Sequence, residues 1–194
     1  LAIIGGGVIG MEIGSTYAKF GVEVTVLEAL PHIVPSIDTD VREVLLHTSE
    51  KIMTIETGAM VKEIQDADNQ KKVVYETQGE RRECCAEKVM VCVGRCPNTK
   101  KLGLETAGIQ VNKRGYIQVN SHYETTVPGV YAIGDVNGQV LLAHAASAQG
   151  IYVADRISGK QTGINTKLIP SCIYTKPEIA CVGKTEDELK KENI

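Results

Sequence analysis

The chain has 194 residues, of which 43% are hydrophobic and 23% charged, with a formal net charge of -3 and a sequence pI near 5.9. That length and balance can bury a core of its own and exclude a disordered chain, while the mild acidity gives no basic field of the kind that binds nucleic acid. The longest apolar runs, residues 89–93 and 140–146, fall far short of the roughly 18 to 20 residues of a bilayer-spanning helix, so no membrane segment is expected.

Residues 1–4 form a short apolar run ending in glycine, the pattern of a parallel strand covered on both faces. The chain thus opens inside a strand, with no charged leader before it, and this edge reads as a cut. Gly5-Gly6-Gly7-Val8-Ile9-Gly10 fits G-x-G-x-x-G, and Ile9, Ile13, Tyr17 and Phe20 then recur at helical spacing as an expected apolar face. Gly21 should end that helix, and residues 22–28 supply a second strand that finishes on Glu28. Strand, glycine turn, helix and strand make a full βαβ unit.

Each position has a physical task. Gly5 permits a tight turn, Gly7 lets the backbone approach a pyrophosphate, and Gly10 removes a side chain that would hold helix and strand apart. A diphosphate would rest on the free N–H groups at the positive end of the helix. Glu28 stands 18 residues beyond Gly10, where a carboxylate can accept bonds from both hydroxyls of an adenosine ribose. The same carboxylate repels a 2′-phosphate, and Ala29, Leu30 and Pro31 bring no arginine to hold one, so the expected nucleotide is NAD.

Residues 31–36 read as a loop, and Asp38 as the cap of a helix running to about Glu50. Residues 51–56, 60–65 and 72–78 are expected as three short strands of an antiparallel meander, with a polar turn at 66–70. Residues 88–93 return to the buried apolar type and leave the sheet sharply at Gly94. A further strand is expected at 115–119, and a buried one at 126–135 that delivers Asp135 through a glycine. Residues 142–159 have the length and apolar content of a helix, and 186–193 end the chain in a charged, helix-like tail.

The six cysteines show neither paired metal spacing nor the pattern of a small secreted scaffold, which suggests a reducing compartment and a cytoplasmic location. Cys92 and Cys96 have three residues between them, and Cys92 lies in an apolar strand where cysteine acts as a small hydrophobe. Cys84 and Cys85 sit in a polar stretch and read as surface thiols. No residue of the chain is expected to be catalytic.

Taken together these motifs resemble the flavoprotein pyridine nucleotide-disulfide oxidoreductases, along nearly the whole chain. The resemblance implies an α/β architecture: a Rossmann-like NAD-binding domain with an antiparallel meander (1–98), part of a central FAD-binding domain (99–166) and the start of an α+β interface domain (167–194). It implies that Glu12, by itself a helix-surface acid, approaches the nicotinamide carboxamide, and that Gly94 in Val93-Gly94-Arg95-Cys96-Pro97-Asn98-Thr99 marks the exit from the NAD domain. Residues 126–135 resemble the motif whose aspartate, here Asp135, accepts hydrogen bonds from the ribityl chain of FAD. Leu142 and Ala143 resemble the helix start that points at the flavin ring; His144 beside them reads as a packing or backbone-bonding group. Within the family, the wording Leu142-Ala143-His144 together with the NAD preference fits the dihydrolipoamide dehydrogenase branch, which implies a homodimer serving a lipoyl-bearing acyltransferase or a glycine-cleavage carrier protein. Mercuric reductases, NADH oxidase or coenzyme A disulfide reductase relatives, and a non-catalytic redox sensor stand as alternatives.

Overall fold

The computed structural model describes residues 1–194, which divide into two compact units: Leu1–Gly94 with Cys172–Ile194, and Arg95–Ser171. The first unit opens with β1 (Ala2–Ile4), α1 (Val8–Lys19), β2 (Thr25–Glu28), α2 (Thr39–Ser49) and β3 (Thr54–Thr57). A meander follows, β4 (Met60–Ala67), β5 (Gln70–Thr77) and β6 (Glu80–Ala86), and then β7 (Val89–Val91). Strands β3, β2, β1 and β7 lie in that order in one parallel sheet, while β4, β5 and β6 form a separate antiparallel sheet.

Alternation along β1 decides which layer covers which face. Ile3 points into a cluster with Met11 of α1, Leu45 of α2, Val24, Val26 and Met53. Its neighbours Ala2 and Ile4 point the other way, against Val73 and Tyr75 of β5 and Ala86 of β6. The parallel sheet is therefore covered on both faces, by helices on one side and by the meander on the other. Leu45 and Met11 are fully buried, and truncating either to alanine would cost about 2–5 kcal/mol.

Several expectations are corrected. Residues 54–57 pair in parallel with β2 and belong to the main sheet, not to the meander. The third strand of the meander is β6, which sequence patterning misses because Glu80, Arg81, Arg82 and Glu83 give it no apolar alternation. Cross-strand ion pairs such as Lys72–Glu83 at 3.3 Å suit that exposed surface and contribute at most about 1 kcal/mol each. The stripe of Ile9, Ile13, Tyr17 and Phe20 does not form the inner face of α1: Phe20 is 80% exposed, and the buried face is Gly10, Met11, Gly14 and Ser15. Gly10 and Gly14 allow the helix to lie close to the strands, beside the fully buried Met11. The expected buried strand at 88–93 shortens to β7, an outer strand in which Val91 is exposed.

The second unit is built with few regular elements. The strands expected at 115–119 and 126–135 reduce to isolated bridges, Val111 with Ile117 and Glu124 with Tyr131. Leu104, Ile117 and Ala132 form its small core. A 3-10 turn, Gly134–Asn137, precedes α3 (Ala143–Ile157), the helix expected from 142.

The chain then returns to the first unit through β8 (Ser171–Ile173) and β9 (Ile179–Cys181), which pair with each other, and α4 (Glu186–Lys191). Ile173 and Ile179 pack into the cluster around Ile3. Thr185 and Glu188 cap α4 reciprocally, at 3.2 and 2.9 Å. Asp38 stands at the N-cap of α2 as expected, but its carboxylate accepts from Glu186 N at 2.7 Å instead of from its own helix.

Tyr75 of β5 is buried and donates to Glu56 Oε1 at 2.9 Å. Burial, that hydrogen bond and the charge of Glu56 push its pKa from 10.0 up to about 12. A raised value means that the phenol stabilises the fold in full below pH 10 and that this contribution is lost as pH rises through about 12. Tyr75→Phe should therefore delete a late step in phenolate absorbance near pH 12 and flatten the loss of stability between pH 10 and 12. A spectrophotometric titration in which the variant keeps that step would contradict the assignment.

Candidate functional site

The glycine turn sits where β1 ends and α1 begins, at the carboxyl edge of the parallel sheet. Gly5 N donates to Leu27 O at 2.8 Å, so the turn leaves β1 while still tied to β2. Gly5 has φ +107, and a Cβ there would stand 2.5 Å from Cys92 O; only glycine tolerates both. A Cβ on Gly10 would meet Gly5 O at 2.0 Å, and one on Gly14 would press on Ile3 Cδ1 and Met53 Sδ at 3.2 Å. These two glycines set how closely the helix lies on the sheet. Gly7 differs: its missing Cβ faces nothing within 4 Å.

Gly7 is also the N-cap of α1, and no side chain caps that end. The first-turn amides are left without intrahelical acceptors, beside a residue whose missing Cβ faces open space, and no acid stands in the first turn to repel an anion.

Glu28, the last residue of β2, is only 8% exposed. Its Oε2 accepts from Gly6 N at 2.6 Å and its Oε1 from Leu30 N at 2.7 Å. The carboxylate braces the glycine turn from the neighbouring strand, a structural duty beyond the one expected from sequence. Each oxygen keeps acceptor capacity for a further donor. Glu12 lies one turn into α1, and its Oε1 accepts from Tyr174 N at 2.7 Å. The structure thus gathers Gly5, Gly7, Gly10 and Glu28 at one edge of the sheet.

A cavity of about 690 Å³ lies at the opposite ends of the strands, lined among others by Leu1, Thr25, Cys84 and Val89. Ligands of open α/β sheets bind beyond the carboxyl ends of the strands, so the glycine turn, and not this cavity, is the nucleotide candidate. Cys84, beside the cavity, is half-buried and not a plain surface thiol; burial, then Cys85 and Glu56, push its pKa up. Burial likewise raises the thiol of Cys92, which packs against the core around Ile3. Neither is an activated nucleophile.

In the second unit Asp135 lies in the 3-10 turn, reached through Gly134 at φ +71. Its Oδ2 pairs with Arg95 Nη2 at 3.1 Å, both side chains being well exposed. Gly94, at φ +113 and exposed, precedes that arginine. Leu142 is the N-cap of α3 and Ala143 its first residue, with no side-chain cap and no acid in the first turn. His144 Nε2 bonds Pro170 O at 2.7 Å, the backbone-bonding role expected of it. Sequence reasoning does not single out two residues that hold this turn, Asn137 and Gln149, both buried and hydrogen-bonded to each other at 2.9 Å. The available signal is Gln149 itself, a polar residue on the same helical stripe as buried Ala145 and Val153.

Residues 1–150 match the family model described as pyridine nucleotide-disulphide oxidoreductase, and residues 169–194 match the dimerisation domain of the same family. The chain belongs to the pyridine nucleotide-disulphide oxidoreductase family. It is 42% identical over 194 residues to a dihydrolipoyl dehydrogenase of Cupriavidus necator, covering 99% of this chain and 41% of the relative. A dihydrolipoyl dehydrogenase of Trypanosoma brucei brucei is 39% identical over 200 residues, covering 100% of this chain and 42% of the relative. Among solved structures, LpdA of Mycobacterium tuberculosis superimposes with a TM-score of 0.87 at 29% identity, over 100% of this chain and 42% of that one. The HOCl-induced flavoprotein disulfide reductase RclA of Escherichia coli gives 0.85 at 30% identity, over 98% and 43%. The chain spans about two fifths of the length of the curated relatives it matches. No helix is long and apolar enough to cross a membrane.

The two glycines that differ in their surroundings should respond differently to a methyl group. Gly10→Ala forces a carbon onto Gly5 O, 2.0 Å away, and should destabilise the first unit by about 3 kcal/mol or more. Gly7→Ala meets no atom within 4 Å and should shift stability by less than about 1 kcal/mol. Denaturant melts in which the two variants unfold at the same midpoint would refute this geometry.

Proposed function

We propose that this chain carries the NAD-binding site and part of the flavin site of an NAD-dependent dihydrolipoamide dehydrogenase. Support comes first from the glycine turn, where an uncapped helix start and the open side of Gly7 leave room for a diphosphate. Glu28 stands at the end of the adjacent strand and in this reading accepts from the ribose hydroxyls while still holding Gly6 and Leu30. A 2′-phosphate would there meet a buried carboxylate, which favours NAD over NADP. In this reading Gly5, Gly7, Gly10, Glu12 and Glu28 serve NAD, with Gly94 at the domain exit. Glu12 would exchange its bond from Tyr174 N for one from the carboxamide.

Asp135, Leu142 and Ala143 would serve FAD. The residues fit that group: a half-exposed carboxylate with one oxygen bonded to Arg95, and a 15-residue helix whose first turn is uncapped and free of acids. When bound, FAD relays an electron pair between a dithiol and the nicotinamide. In the net reaction dihydrolipoamide gives up two electrons and two protons to become lipoamide, NAD⁺ takes a hydride, and one proton passes to solvent. The chain's own residues bind and orient; none of them is assigned a catalytic step.

We place the domain boundaries of the longer protein at 1–98 for NAD, 99–166 for part of the FAD domain and 167–194 for the start of the interface domain. A homodimer serving a lipoyl-bearing acyltransferase or glycine-cleavage carrier in the cytoplasm completes the reading; the match of 169–194 to a dimerisation domain supports the dimer.

Fluorescence titration with NADH and NADPH tests the nucleotide assignment. NADH should bind at least about tenfold more tightly than NADPH, a difference of about 1.4 kcal/mol. Gly7→Ala should weaken NADH while leaving the fold intact. Equal affinity for both nucleotides, or a Gly7→Ala titration that matches the parent, would overturn the site. Oxidation of dihydrolipoamide by the full-length protein with NAD⁺ tests the activity, and its absence alongside NADH binding would redirect the reading to another disulfide reductase of the family.

A further inference from the structure

Gln149 is 2% exposed and lies on the stripe of α3 that also buries Ala145 and Val153. A polar side chain in such a place persists only if its hydrogen bonds are made. They are made to the 3-10 turn: Gln149 Oε1 accepts from Gly134 N at 2.7 Å and from Asn137 Nδ2 at 2.9 Å. Asn137 Nδ2 also donates to Ala132 O at 3.1 Å, and its Oδ1 accepts from Gln139 N at 3.0 Å. One amide oxygen thereby holds the turn at both ends, Gly134 and Asn137, with Asp135 between them. Gly134 reinforces the fit, since a Cβ there would come within 3.0 Å of Ala146 Cβ on the same helix.

The other restraint on Asp135 is its pair with Arg95, the two side chains being 43% and 58% exposed respectively. Solvent weakens such a pair, whereas a buried amide left without its acceptor cannot recover one from water. The buried contacts therefore fix the backbone from which the Asp135 side chain projects. Gln149 also lies six residues along α3 from Ala143, about 9 Å of one rigid helix. It fixes Asp135 and the helix start relative to each other.

We infer that Gln149 is a positioning residue for flavin: through Gly134 and Asn137 it sets the Asp135 carboxylate in register with the first turn of α3. The inference rests on the proposed flavin contacts of Asp135 and Ala143.

The test uses the full-length protein stripped of FAD and titrated with FAD, with flavin visible circular dichroism as the signature of cofactor geometry. Gln149→Leu should weaken FAD by about tenfold or more and change the flavin dichroism, while NADH affinity stays at the parent value. Gln149→Glu, which keeps an acceptor for both donors, should restore FAD affinity to within about threefold. Combined with Asp135→Ala, Gln149→Leu should add less than the product of the two single effects. If Gln149→Leu does not fold, Asn137→Ala, which removes one of the two donors, takes its place with the same expected loss. Parental FAD affinity and dichroism in Gln149→Leu or its Asn137 replacement, with Asp135→Ala still weakening FAD, overturn the positioning role alone. An Asp135→Ala variant that binds FAD like the parent overturns the flavin reading and the inference with it.

Discussion

The first unit is organised around a buried negative charge. Glu28 ends β2 with almost no access to water, a costly position for a carboxylate unless donors meet it. The donors are backbone amides, one from the glycine turn and one from its own strand's exit. The turn can therefore sit only where β2 places the carboxylate, and β2 is in turn held between β1 and β3. Close approach of α1, through Gly10 and Gly14, completes the lock. The proposed recognition of a nucleotide by amides would need this rigidity, because N–H groups have no flexible arm with which to find a phosphate.

The βαβ unit is legible in the sequence because its signals are local and concordant: glycine spacing, a strand on either side and an acid at the end. The roles of Gly5 and Gly10 in the turn follow from the same spacing. What escapes is tertiary. Apolar periodicity points to the wrong face of α1, since the inner face is made largely of glycines and a serine that a hydrophobicity reading passes over. Thr54–Thr57 reads as part of the meander because a four-residue strand carries no mark of its partner. Glu80–Ala86 is invisible because its charged side chains face solvent and its pairing with β5 is a backbone matter.

In the second unit the sequence pattern locates Asp135 and the start of α3 but overstates the strands around them. Isolated bridges replace strands there, and order comes from side chains. The Gln149–Asn137 pair does for the 3-10 turn what a ladder of backbone bonds would do for a strand. Tyr116 does similar work: its hydroxyl donates to Arg95 O at 3.1 Å, and its ring lies where a Cβ on Gly138 would intrude at 2.6 Å. Such networks depend on which side chains meet in space, so no spacing rule along the chain announces them.

The outermost position of β7 carries a last consequence. Its residues and their neighbours, Val89-Met90-Val91-Cys92-Val93, contain no lysine, proline or acid, and β7 is bonded to β1 along one side only. An outer strand without charge or proline leaves backbone groups to which another chain can pair, and the three-residue length of β7 limits how far such pairing can run. A lysine in place of Val91, whose side chain already meets water, would close that edge further.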